Sequence, residues 1–95
     1  QINENITQGI HWKEFMGTFE KVHHSFFEKL IQRFPDLTAA DMRLIALLKI
    51  NLNNIDIAVL LGISQDSLRV ARHRLRKKLR LEQGEDLAGY LVGIS

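Results

Sequence analysis

The 95-residue sequence has no cysteine, so neither a disulfide framework nor a cysteine-ligated metal site is open to it. Its apolar runs are short: Ile57 to Leu61 spans five residues, which excludes a membrane span. No stretch alternates apolar and polar residues as a strand does, and there are no repeats or low-complexity segments. A signal peptide is also missing. Because the chain begins at Gln1 rather than Met, it reads as a section of a longer polypeptide. No nucleophile–base set, glycine-rich phosphate loop or pair of carboxylates on one face occurs, so no catalysis is expected and no cofactor is implied. His23 and His24 are the one candidate metal pair. Neighbours on a helix diverge by about 100°, and nothing near them completes a tetrahedron, so no metal site is expected.

Charge of one sign is locally absent too. Residues 67–81 contain seven Lys or Arg and no acid, whereas residues 82–95 contain three acids and no Lys or Arg. Residues 1–66 hold six cations against eight acids, so the net charge of +2 conceals a concentrated basic stripe. Such a stripe on an apolar-periodic helix suits a polyanion partner better than a merely solvated face.

The apolar spacing is helical throughout, and the expected fold class is all-α. Residues 1–10 lack periodicity. Trp12, Phe15, Met16, Phe19 and Val22 then fall three or four apart, as on an amphipathic helix. Ser25 and Glu28 have the spacing of a capping box ahead of Phe26, Phe27, Leu30 and Ile31. This predicts a break near His23–His24, with a kinked continuous helix as the alternative. Pro35 ends the region by pushing Phe34 out of helical geometry. Thr38 and Asp41 form another capping box, opening a helix to about Leu52 with Met42, Ile45, Leu48 and Leu52 as its stripe, widened by Leu44 and Leu47. Asn53 and Asn54 cap a short helix to about Leu61. After Gly62–Ile63, a long helix runs from Ser64 to about Leu81, and past Gly84 a last one carries Leu87, Leu91 and Ile94 on one face. We divide the chain into an N-terminal helical extension, residues 1–36, and a helix-turn-helix domain, residues 37–95.

Residues 54–79 are the most informative. Ala58 is small enough for two helices to cross closely, Gly62 can take the positive φ that ends the first, and Leu68 packs beneath both. Ser64 is placed to cap the second. On that second helix Leu68, Ala71, Leu75 and Leu79 form a seam, while Arg69, His73, Arg76, Lys77 and Arg80 lie on the outer side with Asp66 and Val70. A cationic second helix of this kind suits the major groove of double-stranded DNA. Its N-terminal half would read bases through Arg69, Val70 and His73, with Arg to guanine and Val to a thymine methyl. Ser67, Arg72, Arg74, Arg76, Lys77 and Lys78 would grip the backbone, about four to six contacts in all. Asp66 suits the helix dipole or a cytosine amine.

The run from Leu37 to Leu79 resembles the LuxR/GerE-type four-helix DNA-binding domain, also found in NarL/FixJ-like response regulators. The matching residues are Leu37–Thr38 with Asp41, Asp56–Ile57–Ala58, Leu61–Gly62–Ile63–Ser64, Leu68 and Lys77–Lys78–Leu79. The resemblance implies base contacts at Arg69, Val70 and His73, and a dimerisation role for the last helix, Glu85 to Val92. More narrowly, through FPDLTAADMRLIALLKINL (residues 34–52), VARHRLRKKL (residues 70–79) and the lead-in Trp12, Phe15, Phe19, Val22 and His23, the chain resembles the cytoplasmic C-terminal part of bacterial one-component sensor regulators. Those combine a β-propeller, a Y_Y_Y-type domain, one transmembrane helix and a coiled coil, which implies a parent anchored in the inner membrane. Ile55 and His73 depart from that subgroup, which usually has Lys and Tyr there. Dimers on DNA are expected through the upstream segment, the N-terminal helix (Trp12, Phe19 and Phe26, spaced by seven) or the last helix, residues 84–94. RNA polymerase is a further candidate partner. A promoter-recognition module like sigma-factor region 4 and a helical interaction or dimerisation module are the alternative readings.

Overall fold

The three-and-four spacing of apolar residues is realised in six α-helices, with no strand among the described residues of the computed structural model, 11–82 and 84–94. They are α1 (Trp12–Val22), α2 (His24–Arg33), α3 (Ala39–Lys49), α4 (Asn54–Leu61), α5 (Gln65–Lys78) and α6 (Leu87–Gly93). No described helix is long and apolar enough to cross a membrane. The non-periodic lead-in, residues 1–10, lies outside the described residues.

Helix α3 is the centre of the molecule. Five successive residues, Leu44 to Leu48, are buried, so the helix is covered on every side rather than along one stripe. Helices α1, α4 and α6 each pack against it. Met42 and Leu52, expected in the stripe, are only half-buried, and Ala46 takes a place in the interior instead. Phe19, Phe26 and Leu30 from α1 and α2 join the same core as Ile57, Leu68, Leu75, Leu87 and Leu91. The N-terminal extension therefore shares one hydrophobic interior with the rest of the described chain.

The start and stop signals of the sequence are partly realised. The Thr38–Asp41 capping box is complete: Asp41 N–H donates to Thr38 Oγ1 (3.1 Å) and Thr38 N–H to Asp41 Oδ2 (2.9 Å). The Ser25–Glu28 box does not form. The break falls at His23, whose N–H closes α1 on Phe19 O (2.8 Å) and whose carbonyl accepts from Phe27 N–H (2.9 Å) at the start of α2. Ser25 is thus already inside α2, and Glu28 faces His24 Nε2 at 3.2 Å instead. Sharing one residue between two helices lets Phe19 and Phe26 both point inward with their rings edge to face, 6.1 Å apart.

Two helices stop earlier than periodicity suggests. Helix α3 ends at Lys49 because Asn51 takes a left-handed conformation (φ 69°), after which Leu52 N–H bonds back to Leu47 O. Helix α5 ends at Lys78, with Arg80 left-handed (φ 61°) and Leu81 N–H bonded to Arg76 O. In both cases apolar residues continue past the stop, and it is the need to turn toward the next helix that ends the element.

Helix α6 follows Asp86, whose carboxylate accepts from Gly89 N–H (2.8 Å). Its Leu87 and Leu91 and the following Ile94 are all buried. Lys49 closes its far end. The Nζ donates to the carbonyls of Leu91 (3.3 Å), Val92 (3.3 Å) and Ile94 (2.9 Å) and sits 4.5 Å from the centre of the Phe26 ring. One amine thereby joins α2, α3 and α6, and burial draws its pKa below the ordinary 10.5.

Candidate nucleic-acid interface

Helices α4 and α5 are joined by only three residues, and each of the three has a defined task. Asn53 begins α4 by accepting Asp56 N–H at 2.8 Å. Gly62 ends it at φ 72°, ψ 32°, with Ile63 N–H bonded to Ala58 O (3.0 Å). Ser64 then caps α5, its Oγ accepting Ser67 N–H at 3.0 Å. Ala58 is buried where the two helices approach, and Leu68, Leu75 and Leu79 enter the core along the inner side of α5. The opposite side of α5 faces solvent.

That outer side carries Arg69, Val70, His73, Arg74 and Lys77, all exposed. Val70 is an exposed aliphatic among cations, with 46% of its surface accessible. The side chains of His73, Arg74 and Lys77 have no hydrogen bond or ion pair among the described residues, and neither does that of Arg80 just past the helix end. Helical spacing puts Arg80 on the cationic side, and it lies just beyond the last turn with a left-handed backbone.

The other cations expected to face a partner have partners within the chain. Arg76 donates from Nη2 to Glu82 O (3.0 Å) and from Nη1 to Glu85 O, which holds the connection to α6. Lys78 Nζ lies 2.5 Å from Asp41 Oδ2 and ties the end of α5 to the start of α3. Arg72 Nη1 donates to Asn54 Oδ1 (3.1 Å) at the start of α4. Ser67 has given its backbone N–H to Ser64, and its hydroxyl lies 3.1 Å from the Ser64 hydroxyl. Periodicity puts Arg76 toward the outer side and Arg72 and Lys78 beside the seam; reach across to neighbouring helices is invisible to it. Arg72, Arg76 and Lys78 flank the apolar seam, where a long side chain meets the adjoining element.

Electrostatics follow the same division. Burial by itself would raise the Asp41 pKa. The hydrogen bonds from Lys78 and Thr38 and the Lys78 charge overcome it and hold the carboxyl below its ordinary 3.8. Asp66, by contrast, lies in the open beside Arg69, with Oδ1 3.1 Å from Arg69 Nη2. Asn54, Gln65, Arg69, Arg72 and His73 line a shallow groove between α4 and α5.

Several apolar residues of the helices expected for self-association are buried. Phe19 and Phe26 are buried, and Trp12 is half-buried with the Arg43 guanidinium 5.0 Å from its ring centre. Leu87, Leu91 and Ile94 face α3 and the core rather than solvent. Among the described residues, no group of three or more His, Cys, Asp or Glu is placed to hold a metal ion. No family model, curated protein or solved structure matches the chain.

Proposed function

We propose that this chain is the sequence-specific DNA-binding part of a bacterial transcriptional regulator, acting in the cytoplasm as a LuxR/GerE-type effector. In this reading α3 to α6 are the four helices of that domain, α4 and α5 form the helix-turn-helix, and α5 lies in the major groove. The observation that carries it is the exposed outer side of α5, where Arg74 and Lys77, with Arg80 just past the helix end, have no side-chain partner among the described residues, opposite an apolar seam that anchors the helix to the core. Arg69, Val70 and His73, in the N-terminal half, would read bases. Arg74, Lys77 and Arg80 would grip phosphates, with the Ser67 hydroxyl as a further contact. Arg72, Arg76 and Lys78 act one step back, by holding α5 against α4, the α6 connection and α3.

Discounting the internally paired cations leaves about three or four phosphate contacts, which corresponds to a slope of log K against log salt of about −3 to −4. Titration of short duplexes at several salt concentrations tests this. Salt-independent binding, or none at low ionic strength, refutes the reading. A second copy on DNA would complete a two-half-site operator. Its contacts would have to come from surfaces other than the buried Phe19–Phe26 and Leu87–Leu91–Ile94 stripes.

A further inference from the structure

Folding accounts only in part for the acid on the outer side of α5, and attraction to DNA does not account for it. Asp66 and Arg69 are bonded at 3.1 Å with side chains 86% and 77% exposed, and an ion pair so open contributes little to stability. A first-turn acid does favour the helix dipole. The flanking positions Gln65 and Ser67 lie in the same turn and would serve the dipole without placing a negative charge toward phosphates. Asp66 instead sits one turn before Arg69, on the same side of the helix, and engages one terminal nitrogen of the guanidinium.

We propose that Asp66 is a positioning residue that turns Arg69 from a general phosphate contact into a reader of guanine; this rests on the DNA-binding role proposed above. A guanidinium has five N–H donors in a rigid plane, and reading guanine takes two of them aimed together at O6 and N7. Unheld, an arginine side chain samples many rotamers and meets phosphate as readily as base. The Asp66 carboxylate restrains the guanidinium at one terminal nitrogen and leaves the other donors open. It also repels phosphate from this end of the helix. Specificity is thereby gained at some cost in general affinity, a trade that needs a repulsive element as well as an attractive one.

Affinity and specificity should therefore move in opposite directions when the acid is removed. The test begins with selection of bound sequences from a random duplex pool by this chain. Asp66→Ala, Arg69→Ala and the double variant are then titrated on a panel of single base-pair changes. Asp66→Ala should bind unrelated duplex more tightly, with a salt slope steeper by about one unit. It should also lose about tenfold discrimination at the guanine read by Arg69. In the Arg69→Ala background the same change should leave base preference unaltered, because the acid acts through the arginine. A full wild-type preference in Asp66→Ala overturns the proposal while leaving DNA reading intact. So does an equal loss with and without Arg69, which would mean that Asp66 touches a base itself. If the unaltered chain binds no duplex at low salt, the DNA-binding role fails, and this inference with it.

Discussion

Adjacent lysines at the end of α5 should behave as different kinds of residue. Lys77 is exposed and without a partner among the described residues, whereas Lys78 Nζ lies 2.5 Å from Asp41 Oδ2. Lys78→Ala leaves Asp41 its capping-box bonds to Thr38 but removes the link between α5 and α3. A hydrogen bond to a charged group contributes about 1.5–3 kcal/mol. An open surface pair contributes only about 0.2–1 kcal/mol. The two side chains here are 38% and 18% exposed, between those cases. The expected loss is about 1 kcal/mol, or about 4–8 °C in Tm for a domain of this size.

The pH dependence has a definite sign. Asp41 has a folded-state pKa below its ordinary 3.8, so its contribution is present above that value and lost as pH falls through the folded pKa. Melting curves from neutral pH down to about pH 3 should show wild type losing stability at the acid end, and Lys78→Ala losing less. Lys77→Ala should melt within about 0.5 kcal/mol of wild type. On DNA the order reverses: Lys77→Ala should flatten the salt slope by about one unit, and Lys78→Ala should leave it unchanged. If Lys78→Ala melts like wild type and flattens the slope as Lys77→Ala does, the Asp41 link is refuted and Lys78 belongs with the phosphate contacts.

Lys49→Met keeps the aliphatic stem but removes the donors to Leu91, Val92 and Ile94. It should cost about 1–3 kcal/mol, and amide exchange should show α6 losing protection before α3. Gly62→Ala should cost about 1–2 kcal/mol from its left-handed backbone. An added Cβ there meets no atom within 4 Å, so thermal melts should recover part of the loss with Asn, which tolerates that conformation. Sedimentation at micromolar concentration should find monomer. Phe19→Ala, at a core position 4% exposed, should lower stability by about 3–5 kcal/mol. A tight dimer dispersed by Val22→Asp, at an α1 position 69% exposed, would show that α1 pairs with a second copy.

The sequence by itself determined the all-α class and the local punctuation, because these depend on short-range spacing. A Thr with Asp three residues on, a Ser after Gly–Ile, and an Asn before an apolar run each satisfy orphan N–H groups within one turn. The seam of Leu68, Leu75 and Leu79 was legible for the same reason, since helical period alone separates it from the cations. Capping spacing misled at Ser25, where burying Phe19 and Phe26 together put the helix start before it. What only the tertiary structure decided is where long side chains and exposed faces go. Leu87, Leu91 and Ile94 have the spacing of any amphipathic face, and packing on α3 makes them core rather than interface. Arg72, Arg76 and Lys78 look like Arg74 and Lys77 in sequence, yet they reach Asn54, two carbonyls and Asp41. Lys78 and Asp41 are 37 residues apart, a separation no local rule spans. Periodicity gives the direction in which a side chain leaves its helix; the neighbour it meets depends on how the helices pack.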